Sequence, residues 1–352
     1  MTDLLDDPPV LLGIEGGCGR ITLNRPGALH ALTLQMCQLM IGALQAWRSN
    51  PAVKAVLIDH SGPRGFCAGG DIRMLAESGA GDGAQARAFF FTEYRLNHLL
   101  FTYPKPVVAL MDGVTMGGGV GLAMPSRFRV ATERTTFAMP ETGIGLFPDV
   151  GGGWFLPRLP GKSGLWLALT GARIKGADCL SLGVATHHVA SADLADLKAA
   201  LLAAPDALEQ VLADAGSGPR PAPIAEHRAA MDRLFGGDSV EAILRDLAGD
   251  GGDWASAQLQ ALAGKSPQTL KVAFRQLQLG AEASSFAENM AMEYRIGARV
   301  VQRHDFLEGV RAVIIDKDNS PVWRPARVED VDDDLIDQIF APLPGSEEWT
   351  PL

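Results

Sequence analysis

Two glycine-rich stretches decide the reading of this chain: Gly65-Phe66-Cys67-Ala68-Gly69-Gly70-Asp71-Ile72 and Met116-Gly117-Gly118-Gly119-Val120-Gly121. Each follows a short apolar run, residues 55–58 in one case and 107–111 in the other, that reads as a buried strand, and each leads into a helix. Glycine lets a backbone approach a ligand with its N–H groups turned outward. A helix start adds a positive partial charge at the same place. Two such turns meeting at one point would offer a pair of donors to a developing oxyanion. Singly, each is no more than a tight turn; their repetition on successive strands is what points to a site.

Outward from these turns the pattern alternates. Residues 10–14 and 20–23 flank Gly16-Gly17-Cys18-Gly19 as a hairpin. Residues 34–48 and 84–100 carry apolar positions at helical spacing, and residues 128–131 read as another strand. Strand, helix and strand keep alternating to about residue 200, which argues for an α/β fold with parallel strands. AGSGPRPAP at 215–223 reads as a linker, and five helical stretches follow between 224 and 301. The expected division is therefore an α/β core over 1–215 and a helical region over 216–352.

Composition removes whole classes. The 352 residues are 47% hydrophobic and 20% charged, with a net charge of -10. This is a globular balance, too acidic for a duplex nucleic-acid binder. The four cysteines form no CxxC pair, and residues 1–10 have no basic n-region and no apolar h-region, so a reduced, cytoplasmic setting is expected. Residues 106–125 imitate a membrane span, but Asp112 and the triplet Gly117–Gly119 favour a strand, a turn and a buried helix. Several motifs fail. Leu156 stands where a P-loop ending at Gly161-Lys162-Ser163 needs glycine. Pro321 and Arg327 break an EF-hand at Asp316. His187 and His188 are adjacent and cannot share a helix face for a metal. No serine sits in a nucleophile elbow.

What remains is carboxylates in apolar surroundings. Within residues 137–153, FAMPETGIGLFPDVGGG, Glu141 and Asp149 stand isolated. Burial raises a carboxyl's pKa and suits it to general acid–base work. For Asp149, just before Val-Gly-Gly-Gly, a helix N-cap is the competing reading.

These motifs together resemble a family. Leu23-Asn24-Arg25-Pro26, FCAGGDI, MGGGVGL and PETGIG, in this order, are similar to the crotonase (enoyl-CoA hydratase/isomerase) superfamily over residues 10–190. The resemblance implies a crotonase-like spiral of ββα turns that binds acyl-CoA thioesters, with oxyanion-hole amides on Ala68 and Gly118. Hydratases of the superfamily carry two catalytic glutamates; here Gly121 stands at the first position and only Glu141 is kept. FAMPETGIGLFPDVGGGWFLPRL, Met292-Glu293-Tyr294-Arg295 and the run from His304 to Asp318 resemble the 3-hydroxyisobutyryl-CoA hydrolase branch. With them the resemblance spans nearly the whole chain. It implies catalytic roles for Glu141 and Asp149, with Glu93, Gly118, Glu141 and Asp149 contacting substrate. A solvent-facing helix position is the alternative for Glu93. The reaction implied is hydrolysis of a 3-hydroxyacyl-CoA thioester, with 3-hydroxyisobutyryl-CoA of valine breakdown as the substrate. Glu141 would act as nucleophile or general base. Arg25 is a candidate for the CoA phosphates. His30 stands where the family has asparagine, a change expected to alter packing rather than chemistry. No metal or separate cofactor is implied, since CoA is part of the substrate; neither a nucleic acid nor a membrane is an expected partner, and a homo-oligomer is compatible. An enoyl-CoA hydratase or isomerase and a non-catalytic acyl-CoA-binding protein are the rival readings.

Overall fold

A computed structural model describes residues 8–216 and 221–352. Among the described residues ten strands form in chain order: β1 (Val10–Glu15), β2 (Cys18–Leu23), β3 (Ala55–His60), β4 (Gly65–Cys67), β5 (Val107–Met111), β6 (Val114–Met116), β7 (Phe128–Ala131), β8 (Thr136–Ala138), β9 (Ile174–Lys175) and β10 (His187–His188). One sheet has the order β1-β2-β3-β5-β7-β10 and the other β4-β6-β8-β9. β1 and β2 form the expected hairpin, antiparallel from Val10↔Leu23 to Glu15↔Cys18. From β2 onward the larger sheet is parallel. The chain thus lays one strand in the larger sheet, the next in the smaller, then turns through a helix, and repeats. This is the α/β spiral of ββα turns. Parallel strands buried on both faces read as continuous apolar runs, and all five residues of β5 are buried. The stretch that imitates a membrane span is β5, β6 and the helix Gly118–Ala123. Among the described residues no helix is long and apolar enough to cross a membrane.

The chain divides into two compact units that interleave along the sequence. One comprises Met1–Gly70, Leu99–Phe137 and Lys175–Pro221; the other comprises Asp71–His98, Ala138–Ile174 and Ala222–Leu352. The first holds the larger sheet and a core in which Leu57, Val108 and Val130 meet Leu197, Leu201 and Leu212 of the helices after β10. The second is helical, with Phe89, Tyr94, Phe147, Phe235 and Phe306 fully buried.

The boundary expected at residue 215 therefore needs correcting. Residues 217–220 of the expected linker lie outside the described residues. The segments 71–98 and 138–174 belong with the C-terminal helices, for a hydrogen-bonding reason. Trp349 Nε1 donates to the Phe91 carbonyl at 3.1 Å, Gln276 Nε2 to the Pro148 carbonyl at 2.7 Å, and the Ser266 amide to the Thr142 carbonyl at 3.1 Å. Pairings separated by 124 to 258 residues leave no periodicity for a sequence reading to use.

Candidate active site

In the sheet-bearing unit the two glycine turns abut. A Cβ built on Gly69, whose φ is +124°, would lie 3.8 Å from the Gly118 nitrogen and 3.7 Å from Gly117 Cα. A Cβ on Gly119 would come within 2.4 Å of the Cys67 carbonyl oxygen. At Gly119 glycine is a packing requirement between the two turns, and at Gly69 the positive φ requires it. Gly118 is the first residue of the helix Gly118–Ala123, preceded by Gly117 at φ 47°, so its N–H is one of the helix's orphan donors.

Ala68 does not keep its expected role. Its N–H donates to the Leu29 carbonyl at 3.0 Å, and the Gly69 carbonyl accepts from the Leu32 N–H at 2.8 Å. Residues 29–32 thus cover that edge of the turn, with a parallel bridge between Leu32 and Gly70. A bridge centred on Gly70 uses the polar groups of its neighbours and turns its own N–H to the opposite edge. β4 pairs with β6 along that edge. Gly70 is therefore the turn's outward donor, displaced by two residues from the sequence expectation. The signal that separates them is a backbone partner 39 residues away in sequence, the carbonyl of Leu29, which no motif records.

His30 explains the 25–31 turn. It sits at φ 57° with its Nδ1 accepting from the Arg25 amide at 3.0 Å and its Nε2 2.8 Å from the Ser61 carbonyl. Burial, with His60 adding to it, pulls the ring down to about 4, so a neutral imidazole donates to Ser61. Arg25 has one guanidinium nitrogen on the Ala31 carbonyl.

The second unit gathers carboxyls. The helix Ala84–Phe101 buries Phe89, Phe90, Tyr94 and Leu96, and Glu93 lies on that same apolar stripe at 1% exposure. The solvent-facing alternative for Glu93 is thereby excluded. The flanking Arg95 faces outward and donates to the Thr350 carbonyl at 2.8 Å. Glu141 opens a single 3-10 turn, Glu141–Ile144, closed by Gly145 at φ 69°. A Cβ on Gly145 would meet the Asp305 carbonyl oxygen at 2.1 Å. Asp305 is itself fixed by Ser266 Oγ at 2.6 Å and the Arg324 amide at 2.8 Å, which gives the His304-Asp305 motif its structural role.

Asp149 precedes Val150 at φ 53° and Gly151 at φ 95°. A β-branched residue with positive φ is uncommon and needs surrounding support. Glu293 supplies it. Its carboxylate accepts from the Gly151 and Gly153 amides at 2.7 and 2.9 Å, from Asn289 Nδ2 at 2.9 Å and from Gln276 Nε2 at 3.2 Å. The helix Gly152–Phe155 is capped by Gly151 and not by a side chain, so the N-cap reading of Asp149 falls. Instead Asp149 Oδ2 accepts from the buried Tyr94 hydroxyl at 3.0 Å.

The electrostatics follow from this packing. Burial first, then the Asp149 charge, pushes Glu93 well above the usual carboxylate range. Burial and Asp149 push Glu141 up as well, while Lys265 draws it back. The Lys265 Nζ lies 3.3 Å from where a Cβ on Gly143 would stand. Asp149 is raised to about 7 by burial, with the Tyr94 bond opposing. Glu93 Oε1 and Glu141 Oε2 are buried with no hydrogen-bond partner. Buried polar atoms are normally satisfied, so these two carboxyl oxygens have acceptor capacity to offer a ligand. Glu93, Glu141 and Asp149 thus form one cluster. Tyr94, Lys265 and Glu293 belong to its surroundings and carry no chemical signal in the sequence, Tyr94 and Glu293 being single polar residues within helices and Lys265 one in the bend between two.

Comparison with known proteins agrees with this architecture. The sequence model of the enoyl-CoA hydratase/isomerase family matches residues 18–340. The mitochondrial 3-hydroxyisobutyryl-CoA hydrolase of Danio rerio is 49% identical over 95% of this chain and 90% of its own length. That of Homo sapiens is 44% identical over 96% and 90%. Among solved structures, a carnitinyl-CoA dehydratase from Mycobacterium thermoresistibile superposes with a TM-score of 0.93 at 40% identity, covering 98% of this chain and 99% of that one. An enoyl-CoA hydratase from Rhodobacter sphaeroides 2.4.1 gives 0.90 at 42%, covering 97% and 99%.

Proposed function

Because the chain belongs to the enoyl-CoA hydratase/isomerase family, we propose that it is an acyl-CoA thioester hydrolase acting on 3-hydroxyacyl-CoA, with 3-hydroxyisobutyryl-CoA as substrate. The names of its relatives pull in two directions, hydrolase for the sequence relatives and hydratase or dehydratase for the solved structures. The observation that carries the hydrolase reading is the placement of the carboxyls. Gly121 is buried within the helix Gly118–Ala123, and a glycine supplies no carboxylate to a water held beside an acyl Cα–Cβ bond. The carboxyls that exist cluster instead on Asp149, which acts electrostatically on both Glu93 and Glu141.

In this reading the thioester oxygen takes hydrogen bonds from the Gly70 and Gly118 amides as it becomes an oxyanion. In both routes an oxygen replaces sulfur on the carbonyl carbon, the C–S bond breaks, one water is consumed, and a proton ends on the CoA sulfur. Either Glu141 takes a proton from a water that attacks the carbonyl carbon itself, or a Glu141 oxygen attacks that carbon to form a mixed anhydride that water then opens at the glutamyl carbonyl. One turnover in 18O-water separates the two: the general-base route puts the label in the product acid, and the anhydride opened at the glutamyl carbonyl puts it in Glu141. Lys265 favours the ionised Glu141 that both routes need. Asp149 and Glu93 hold the substrate 3-hydroxyl. Arg25 is assigned to the CoA phosphates through its remaining guanidinium nitrogens.

The test is thiol release across an acyl-CoA panel. Free CoA should appear from 3-hydroxyacyl thioesters at least about tenfold faster than from saturated ones, since a site built for a hydroxyl leaves polar groups unpaired when it is missing. Hydration of crotonyl-CoA without thiol release would return the protein to the hydratases.

A further inference from the structure

We propose that Tyr94 is a positioning residue for this hydrolysis: its buried hydroxyl holds the Asp149 carboxylate and so fixes the group that receives the substrate 3-hydroxyl. The inference rests on the hydrolase reading and names a residue within it. Tyr94 is fully buried, and its hydroxyl donates to Asp149 Oδ2 at 3.0 Å across 55 residues of sequence. The ring lies tilted by 32° against Phe90 with centroids 5.7 Å apart. Gly297 leaves room for it, since a Cβ there would stand 3.3 Å from Phe90 Cδ2 and 3.5 Å from the Tyr94 oxygen. Phenol and ring are therefore held from two sides.

Asp149 needs such a partner. Its main chain is fixed on either side, by Gln276 at the Pro148 carbonyl and by Glu293 at the Gly151 amide, but neither contact touches its carboxyl. The titratable groups around the pair are Glu93 beside Tyr94 on its own helix, Glu141 on the 3-10 turn and Glu293 on the helix Phe286–Val300. All are acids, and the Asp149 charge raises each of them. Burial first, then the charges of Asp149, Glu293 and Glu93, push the Tyr94 phenol well above its ordinary value, so it stays a donor throughout the physiological range. A buried tyrosine that merely needed an acceptor would fill the core equally well on a carbonyl. Placed on Asp149, it opposes the burial that raises that carboxyl.

Tyr94→Phe removes the hydroxyl and keeps the ring. The acid limb of kcat/KM for a 3-hydroxyacyl thioester should move to higher pH by about one unit. The preference for the 3-hydroxy over the saturated thioester should shrink several-fold. A folded variant with the wild-type limb and the wild-type preference overturns the proposal. A second measurement needs no variant at position 94. The chain has three tyrosines, Tyr94, Tyr103 and Tyr294, so 3-fluorotyrosine labelling gives three 19F resonances, two of which Tyr103→Phe and Tyr294→Phe identify. The third should follow the titration of Asp149 and lose that dependence in Asp149→Asn; a resonance that ignores both also overturns the proposal. Should the resonance titrate while the wild-type protein releases no CoA from any thioester, the hydrolase reading fails and the Tyr94–Asp149 contact stands.

Discussion

In the sheet-bearing unit the candidate functional groups are main-chain amides, whereas in the helical unit they are side-chain carboxyls. The amides come from two short glycine turns whose positions are set by strands pairing in register, β4 with β6. The carboxyls come from a long helix, a single 3-10 turn and the strained turn at Val150, with a second helix holding that turn in place. Amide donors need only a backbone geometry, and glycines are its cause, so the sequence displays them. A buried carboxyl needs a partner list, and that list is assembled by tertiary packing. Two buried glutamates of the helical unit show what the list decides. Glu293 is saturated by two amides and two side-chain amides, while Glu141 keeps an oxygen with no partner. The first holds a turn; the second is the one the proposed hydrolysis uses.

The sharpest way to break that contrast is to neutralise each glutamate in turn. Glu141→Gln should lower turnover by about 100- to 10,000-fold, the range of a positioned acid–base group, and leave the melting temperature at or above that of the wild type. Glu293→Gln replaces one of the two acceptor oxygens that hold the Gly151 and Gly153 amides with an NH2 donor and should lower the melting temperature. Similar rate losses with similar destabilisation at the two positions would erase the distinction between a reacting and a bracing glutamate.

A smaller effect tests the amides. Replacing Gly118 by its α-hydroxy acid turns one N–H into an ester oxygen, and turnover should fall by about 100- to 1,000-fold. The same replacement at Gly70 should act alike. At Ala68 it removes only the bond to Leu29, so stability should fall by about 1 kcal/mol with turnover nearly kept. A large rate loss at Ala68 together with none at Gly70 would restore the assignment made from the motif alone.

The difference between the units also measures how far the sequence could be read. The hairpin, the helix over 34–48, the alternation of strands and helices and the helices after residue 224 follow from apolar periodicity and turn residues, and the structure has them. The glycine turns were readable as a converging pair. Which amide faces outward was not, because the Leu29 carbonyl that occupies Ala68 is invisible in the FCAGGDI motif. Glu141 and Asp149 stood out because their neighbours are apolar. Glu93 did not stand out from its own helix and entered only through family resemblance. Tyr94 and Lys265 were passed over, since their meaning lies in a partner 55 residues away in one case and in a glycine's missing Cβ in the other. The interleaved units escaped notice because long-range hydrogen bonds leave no mark on composition.

The smallest expected effect concerns what the carboxyl cluster costs the fold. Asp149 is raised to about 7 from an ordinary value of 3.8, and Glu93 is raised well above its own. Between the unfolded and folded values the native state binds more protons than the unfolded chain. Stability must then fall as pH rises through that window, the reverse of an ion-paired carboxylate. Below about pH 4 both states are protonated and the groups contribute no pH dependence. Glu93→Gln replaces a carboxyl that has to ionise in a buried, acidic neighbourhood with a neutral group of similar shape. The variant should therefore melt above the wild type at pH 8.5, by about 2–4 °C if the relief is one kcal/mol in a unit of this size. The gap should narrow as pH falls toward the ordinary carboxylate range, where the unfolded chain is protonated as well. Its activity on 3-hydroxyacyl thioesters should fall at the same time, so that stability and rate move in opposite directions at one residue. A variant less stable than the wild type at both pH values would mean that Glu93 holds the helix Ala84–Phe101 in place, and the cluster would then lose one of its three members as a substrate-binding group.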